Sequence, residues 1–284
     1  MLGLYDEIRA NVQRALQEDV GSGDLTASLI PVDRTLQATV ISRENAVLCG
    51  AQWFEACFQS LDPASMIEWF AKDGDGVQAG QTLCAIRGNA RALLTAERSA
   101  LNFLQLLSAV ATQTKRFADA IAGTGAVIVD TRKTLPGLRL AQKYAVTCGG
   151  GMNHRIGLYD GILIKENHII AAGGIRPALK QALEIAPAGV FVQIEVESLQ
   201  ELQEALASGG RMVLLDNFAL DQLADAVTLT CRQTGDAVIL EASGNITLDN
   251  VRQVAETGVD RISVGSLTKN IQAIDLSLRF SGAE

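Results

Sequence analysis

From residue 127 onward the chain repeats one pattern that few folds can satisfy. Short apolar runs recur as VIVD (127–130), ILIK (162–165), VFVQIEV (190–196), RMVLLD (211–216), AVILEA (237–242) and RISVG (261–265). Between the later runs lie helix-like segments, IRPALKQALEIA, LQELQEALASG, ALDQLADAVTLTCRQTG and TLDNVRQVAETG. Continuous apolar runs are the signature of parallel strands buried on both faces, and their alternation with helices gives βαβ units. Six such units in about 150 residues predict an α/β barrel short of the usual eight strands. An open doubly wound sheet is the competing architecture, but no GxGxxG follows a strand, so a dinucleotide fold lacks its fingerprint.

The first third reads differently. LYDEIRANVQRALQED has helical spacing and stops at Gly21 and Gly23. ATVISREN, AVLCG, MIEWFAK, GVQAG and TLCAIRG then alternate between turn residues, as in a small antiparallel sheet. Residues 90–123 form a long helical stretch with at most one break, which bridges into the second domain. The expected domains are therefore 1–112 and 113–284, with the C-terminal tail free to pack back on the first.

Charge is unevenly placed. The 284 residues carry a net charge of −8, which excludes a global basic field for nucleic acid or anionic membrane. Yet Thr131 to Tyr159 holds Arg132, Lys133, Arg139, Lys143, Arg155 and His154 and no acid, where average usage would place about three. These cations are interleaved with Gly and Pro, which argues against a solvated helix face. They suggest an anionic small molecule. The five cysteines form no CxxC pair. The chain has no apolar run of membrane length and no signal-peptide layout, so the reading is a reduced cytoplasmic protein.

Each apolar run ends on polar residues. Asp130, Thr131, Arg132 and Lys133 follow the first and Lys165 ends the second; Glu195 lies in the third and Asp216 ends the fourth. Ser243-Gly244-Asn245 follows the fifth and Gly265-Ser266 the sixth. In an α/β barrel these ends converge on one mouth, where active sites form. Gly-containing loops after the last strands suit phosphate, and two carboxylates beside phosphate suit Mg²⁺. The triple glycine 149–151 before Asn153, His154 and Arg155 lets the chain fold tightly against such a pocket.

With these residues in view, DTRKTLPGLRLAQKYAVTCGGGMNHRIGLYDGILIKENHI (130–169) resembles the core signature of the quinolinate phosphoribosyltransferases. ALQEDVGSGDLT, DGDGVQAG, LLTAERSALNFLQ, IEVES, LLDNF, LEASGNIT and ISVGSLTK are similar to other segments of that family, so the likeness covers nearly the whole chain. It implies a smaller N-terminal α/β sandwich domain and an incomplete, roughly seven-stranded α/β barrel. It also implies transfer of the phosphoribosyl group of 5-phosphoribosyl 1-pyrophosphate to quinolinate, with loss of pyrophosphate and CO₂, to give nicotinate mononucleotide in de novo NAD biosynthesis. By resemblance, Arg132, His154, Arg155 and Lys165 bind quinolinate, and Arg98 reaches in from a second subunit of a homodimer or assembly of dimers. Lys133 meets phosphoribosyl pyrophosphate, and Thr131 is a further substrate-binding residue. Glu195 and Asp216 serve the ribose and Mg²⁺, and Ser243, Gly244, Asn245, Val264, Gly265 and Ser266 hold the 5′-phosphate. Lys133, Lys165, Glu195 and Asp216 are the expected catalytic set. The related molybdenum-locus protein, or a phosphoribosyltransferase for another pyridine acid, shares much of this pattern. DGDGVQAG also resembles the β-segment of biotinyl-lipoyl carriers.

Overall fold

Helical and strand segments follow the apolar spacing closely in the computed structural model, which describes residues 2–234 and 238–281. In chain order the elements are α1 (Leu2–Val20), β1 (Thr35–Ser42), β2 (Ala46–Val47), α2 (Ala51–Leu61), β3 (Met66–Trp69), β4 (Gly76–Val77), β5 (Thr82–Asn89) and α3 (Ala90–Ala120). There follow β6 (Val127–Val129), α4 (Arg139–Cys148), β7 (Gly161–Ile164), α5 (Glu166–Ala172), α6 (Ile175–Ile185), β8 (Phe191–Val196) and α7 (Leu199–Ala207). The last are β9 (Met212–Asp216), α8 (Leu220–Thr234), β10 (Ile239–Ser243), α9 (Val251–Glu256), β11 (Arg261–Ser263), α10 (Ser266–Lys269) and β12 (Leu276–Ser281). Contacts divide the chain into two compact units. Unit one comprises the chain up to Lys115, Thr134–Gly150 and the chain from Leu267; unit two comprises Arg116–Lys133 and Gly151–Ser266. The C-terminal strand groups with unit one, as the sequence reading allowed, and Thr134–Gly150 groups with it too, which a single cut at 112/113 does not provide for.

Unit one carries an antiparallel sheet in the order β12-β1-β5-β3. Its core is shared with four helices, α1, α2, α3 and α4. Ile8, Val12 and Leu16 repeat every four residues and give α1 one buried face. Trp53, Phe54, Cys57 and Phe58 do the same for α2, and burying each large side chain is worth about 1.5–3 kcal/mol. The indole N–H of Trp53 donates to Asn11 Oδ1 at 3.1 Å, so its polar atom is satisfied inside the core. Two expectations change here, and the long helix, expected with at most one break, has none. AVLCG is strand only at Ala46–Val47, which pair with Gly76–Val77 of the DGDGVQAG segment, and the following residues become α2. The stretch from 90 is one unbroken helix to Ala120. Arg139 and Lys143 are one turn apart on α4, within unit one, so these two cations are spaced along a helix after all.

Unit two is the repeated βα portion. Its parallel sheet runs β6-β11-β10-β9-β8-β7, and all six apolar runs become its strands. The first residue of the AVILEA run, Ala237, and Gly235 of the preceding helical segment lie outside the described residues. Met152 makes a single parallel bridge to Val129 on the free side of β6. The sheet is thus six strands and one vestigial seventh, which is why the barrel is incomplete. Helices α6, α7 and α8 bury Leu179 and Ala182, Leu202 and Ala205, and Leu223 and Ala226. The TLDNVRQVAETG segment is helical only at α9.

The triple glycine works in a different place from that expected. A Cβ on Gly149 would lie 2.4 Å from the Ala111 carbonyl oxygen and 2.6 Å from Thr114 Cβ, both on α3. Gly150 takes a left-handed φ of 86° at the end of α4. The glycines therefore end α4 and seat it on α3, within unit one. Gly149→Ala is expected to lower unfolding free energy by about 1–3 kcal/mol through overpacking, measured by urea denaturation. Gly125→Ala, where a Cβ meets nothing within 4 Å, is the control and should stay within about 0.5 kcal/mol.

Candidate active site

The parallel ladder sets the pocket. Alternate residues of a strand share a face, so Leu163 and Lys165, Gln193 and Glu195, Leu214 and Asp216, and Glu241 and Ser243 point the same way from consecutive strands or their ends. Asp130 to Lys133 after β6, and His154 and Arg155, complete a cavity of about 360 Å³ lined also by Ser263. That volume suits a small organic ligand.

Its floor is a buried polar chain. The Arg155 backbone N–H donates to His154 Nδ1 at 2.7 Å. This assigns the ring hydrogen to Nε2, which faces Gln193 Oε1 at 2.7 Å. The Gln193 amide then donates to Glu241 Oε2 at 3.1 Å. Gln193 and Glu241 are 0% exposed. The other Glu241 oxygen, Oε1, has no hydrogen-bond partner. The His154 backbone N–H is held by Asp130 Oδ1 at 2.9 Å. His154 thus uses both ring nitrogens within the protein and fixes the backbone of Arg155. His168, the other histidine, accepts the Lys165 N–H with Nδ1 at 3.0 Å and shapes the start of α5.

Above the floor lie the cations. Arg155 is 9% exposed and donates from Nη1 to the Gly161 carbonyl at 3.0 Å. Burial, and then the nearby Arg132 guanidinium, pull its pKa below the usual arginine range, while Asp160 acts in the opposite sense. Asp160 is itself pinned by the N–H groups of Ile156 and Gly157 at 2.7 and 2.8 Å. Arg155, with the charge of Arg132 beside it, therefore forms a desolvated positive site. Lys165 Nζ donates to Glu195 Oε2 at 2.7 Å on the open side of the pocket. Burial and the Glu195 charge raise Asp216 above the ordinary carboxylate range, against Lys165, Lys133 and the Ser243 hydroxyl.

The loops after β9 and β10 are tightly determined. Asn217 and Asn245 hold φ of 57° and 51°, unusual for residues other than glycine. Asn217 donates to Asp216 Oδ2 at 2.8 Å and its N–H reaches the Ser243 carbonyl at 2.9 Å. A Cβ on Gly244 would sit 2.1 Å from Asn217 Oδ1, so only glycine fits between them.

Of the residues singled out from sequence, Thr131, Arg132, Lys133, His154, Arg155, Lys165, Glu195, Asp216 and Ser243 line this one pocket. Gly244, Asn245, Val264 and Gly265 in the loops after the last strands, and Ser266 at the start of α10, are not among its lining residues. A Cβ on Gly265 would meet Lys133 Cδ at 3.1 Å and Thr131 Oγ1 at 3.5 Å, so that loop abuts two lining residues. Arg98 is exposed on α3 in unit one. Asp130, Gln193 and Glu241 were not picked out as site residues. The available signal was a Gln or Glu inside an otherwise apolar run, at strand spacing of two from a chosen residue.

A family model described as the C-terminal domain of quinolinate phosphoribosyl transferase matches residues 110–279, and its N-terminal counterpart matches residues 24–108. The chain is 40% identical over 268 residues to a probable nicotinate-nucleotide pyrophosphorylase (carboxylating) of Synechocystis, covering 94% of this chain and 90% of that one. It is 39% identical over 261 residues to a protein of the same description from Bacillus subtilis, covering 92% and 89%. The solved structure of the nicotinate-nucleotide pyrophosphorylase from Francisella tularensis aligns with a TM-score of 0.92 at 44% identity, over 97% of this chain and 96% of that one. The chain belongs to the quinolinate phosphoribosyltransferase family.

Proposed function

We propose that the chain joins quinolinate to the ribose of 5-phosphoribosyl 1-pyrophosphate and releases pyrophosphate and CO₂, forming nicotinate mononucleotide. The observation that carries this reading is the desolvated Arg155 with Arg132 beside it, in a pocket whose other wall is Glu195 and Asp216. A buried guanidinium with a second, half-buried one beside it is unfavourable alone and favourable around a dianion, and their planar forks match carboxylates. Arg155, Arg132 and Lys165 then take the two carboxylates of quinolinate, with His154 holding Arg155 in place. Lys133 attends the departing pyrophosphate. Ser243 to Asn245 and Val264 to Ser266 offer backbone N–H groups and hydroxyls to the 5′-phosphate.

The chemistry needs placement more than a nucleophile from the protein. The pyridine nitrogen attacks C1 of the ribose, and the C–O bond to pyrophosphate breaks with its electron pair. The ring nitrogen becomes cationic. The C2 carboxylate then leaves as CO₂, its bonding pair stays on C2 beside that cation, and C2 takes up a proton. Glu195 and Asp216 stabilise positive charge on the ribose. They are hard oxygen donors whose mutual repulsion a cation relieves, so they fit Mg²⁺, held directly or through water. Bound Mg²⁺ would neutralise charge on the leaving pyrophosphate. In the same reading the enzyme works in the cytoplasm, in keeping with five free thiols, as a homodimer or an assembly of dimers in which Arg98 serves a second copy's pocket.

The direct test is nicotinate mononucleotide formation from quinolinate, phosphoribosyl pyrophosphate and Mg²⁺, with CO₂ release counted. Arg155→Ala is expected to weaken quinolinate binding by about 10–100-fold, since a charged hydrogen-bond partner at a buried site is worth about 1.5–3 kcal/mol. Unchanged affinity by calorimetry would remove Arg155 from the quinolinate site. Asp216→Asn should lower turnover at least about tenfold and raise the Mg²⁺ concentration for half-maximal rate. The same variant gives a stability readout. Because the folded protein raises Asp216, it keeps that proton over a pH range where the unfolded chain has lost it, and ionisation costs stability as pH rises through that range. Asp216→Asn should therefore melt higher than wild type at pH 7, with the difference shrinking as pH falls through the carboxylate range. A melting point at or below wild type at pH 7 refutes that balance. For the shared site, Arg98→Ala and Lys165→Ala chains, each nearly inactive, should regain activity as mixed dimers, since one pocket then carries neither lesion. Isolated heterodimers without recovery rule out sharing.

A further inference from the structure

Unit one contains a second group of reactive side chains that plays no part in the transferase reading. Cys49, Asp73 and Cys148 each bring a ligand atom within 4.8 Å of the others. Cys49 lies just ahead of α2, is 0% exposed, and has its N–H on Ser108 Oγ at 2.9 Å. Cys148 is the last residue of α4 and is half-buried. The Tyr144 hydroxyl donates to Asp73 Oδ2 at 2.9 Å.

The carboxylate is fully engaged. Oδ1 accepts the N–H groups of Gly50 and Ala51, each at 3.1 Å, and Oδ2 accepts Gly50 at 3.1 Å as well as Tyr144. A carboxylate offers about four lone-pair sites, so Asp73 is the cap of α2 and has none left for a metal. The remaining chemistry belongs to the two sulfurs. Burial pushes the Cys49 thiol far up, so it keeps its hydrogen and offers it to Cys148. That contact brings the Cys148 thiol below the ordinary range, against its own partial burial and the Asp73 charge. The Tyr144 hydroxyl has a single hydrogen and gives it to Asp73, so the help to Cys148 comes from Cys49. A half-buried thiol with a lowered pKa, its sulfur within 4.8 Å of that of a buried thiol, is the arrangement in which one cysteine meets an oxidant and the other resolves the product.

We propose that Cys148 and Cys49 form an oxidisable pair, in which a hydroperoxide reacts at Cys148 and Cys49 closes the product to an intramolecular disulfide. In the first step the Cys148 thiolate attacks the terminal peroxide oxygen and the O–O bond breaks. Cys148 becomes the sulfenic acid, and the departing alkoxide or hydroxide leaves as alcohol or water with the original thiol proton. In the second step Cys49 sulfur attacks Cys148 sulfur and the S–O bond breaks. The hydroxide leaves as water with the Cys49 proton. Two thiols are oxidised and one peroxide is reduced. The bond ties the turn ahead of α2 to the end of α4, six residues before His154 in the chain.

The test treats the fully reduced, full-length protein with one equivalent of hydrogen peroxide under native conditions, then alkylates, digests and analyses it by mass spectrometry. Alkylatable thiols should fall from the five of the sequence to three, with a peptide linking Cys49 to Cys148. Cys49→Ser should stop at a Cys148 sulfenic acid that dimedone traps, and Cys148→Ser should leave Cys49 alkylatable. Exposed Cys231 in the same digest is the reference thiol. Oxidation of Cys231 with Cys148 intact overturns the proposal, and so does a Cys148 sulfenic acid that persists in wild type beside free Cys49. The wild-type digest decides alone if a serine variant fails to fold, and neither outcome depends on the transferase reading.

Discussion

The register of the parallel ladder is the constraint on which the pocket depends. Glu195 pairs with Leu214, Leu214 with Glu241, and Leu215 and Asp216 with Ala242 and Ser243. A slip of one residue in any of these strands would turn its inward polar groups out and its outward aliphatic groups in. The strands are held in register by burial on both faces, since Ile194, Val196, Val213, Leu215, Leu240 and Ala242 are all buried between the polar positions and the helices. The same packing that makes the unit stable therefore aims Glu195, Asp216 and Glu241 at one point, and the site needs no separate device to assemble it.

What the register assembles is a set of charges that do not suit one another without ligand. Arg155 is lowered by burial and by Arg132, and Asp216 is raised by burial and by Glu195, so both signs are held away from the conditions they prefer. Lys165 with Glu195 is the pair across the two sets, and its lysine is half exposed. An exposed pair of this kind is worth at most about 1 kcal/mol and opens readily. The rigid part is lower down, where Gln193 links His154 to Glu241 with no exposed atom to compete. Flexible charges at the rim over a fixed polar floor allow ligand exchange without loss of geometry.

Sequence alone made the architecture of unit two legible, because doubly buried parallel strands leave continuous apolar runs that nothing else in the chain imitates. It also located the charged strand ends, since a Lys or Asp at the end of such a run is conspicuous. It missed what lies inside the runs. Gln193 and Glu241 sit among Val, Ile and Leu and look like interruptions, yet strand periodicity puts Gln193 on the face of Glu195 and Glu241 on that of Ser243. Helices α2 and α4 were missed for another reason. Each is a short segment whose apolar face shows only once it packs, as Trp53, Phe54 and Phe58 do for α2 and Ala141, Ala145 and Val146 for α4. The glycines at 149 and 150 were noticed as special, but which surface a close approach serves is a tertiary fact, and α3 rather than the pocket supplies it.

The floor network also reassigns the work of His154. A histidine beside an arginine in an anion site reads naturally as a second cation for the ligand. Here Nδ1 is filled by the Arg155 N–H and Nε2 by Gln193, so neither nitrogen is turned to the cavity. The ring is a bracket between a buried carboxylate and the backbone that carries the principal guanidinium. The ring fixes the Arg155 backbone, and the Gly161 carbonyl then holds the guanidinium in the pocket as its desolvated positive site. Glu241 pays for this with an unpartnered Oε1, and an orphaned buried oxygen costs about 1–3 kcal/mol. That penalty is sustained because the alternative, an apolar residue at 241, would leave Gln193 without its acceptor and free its amide to rotate. The orientation of His154, and through it Arg155, would then be undefined.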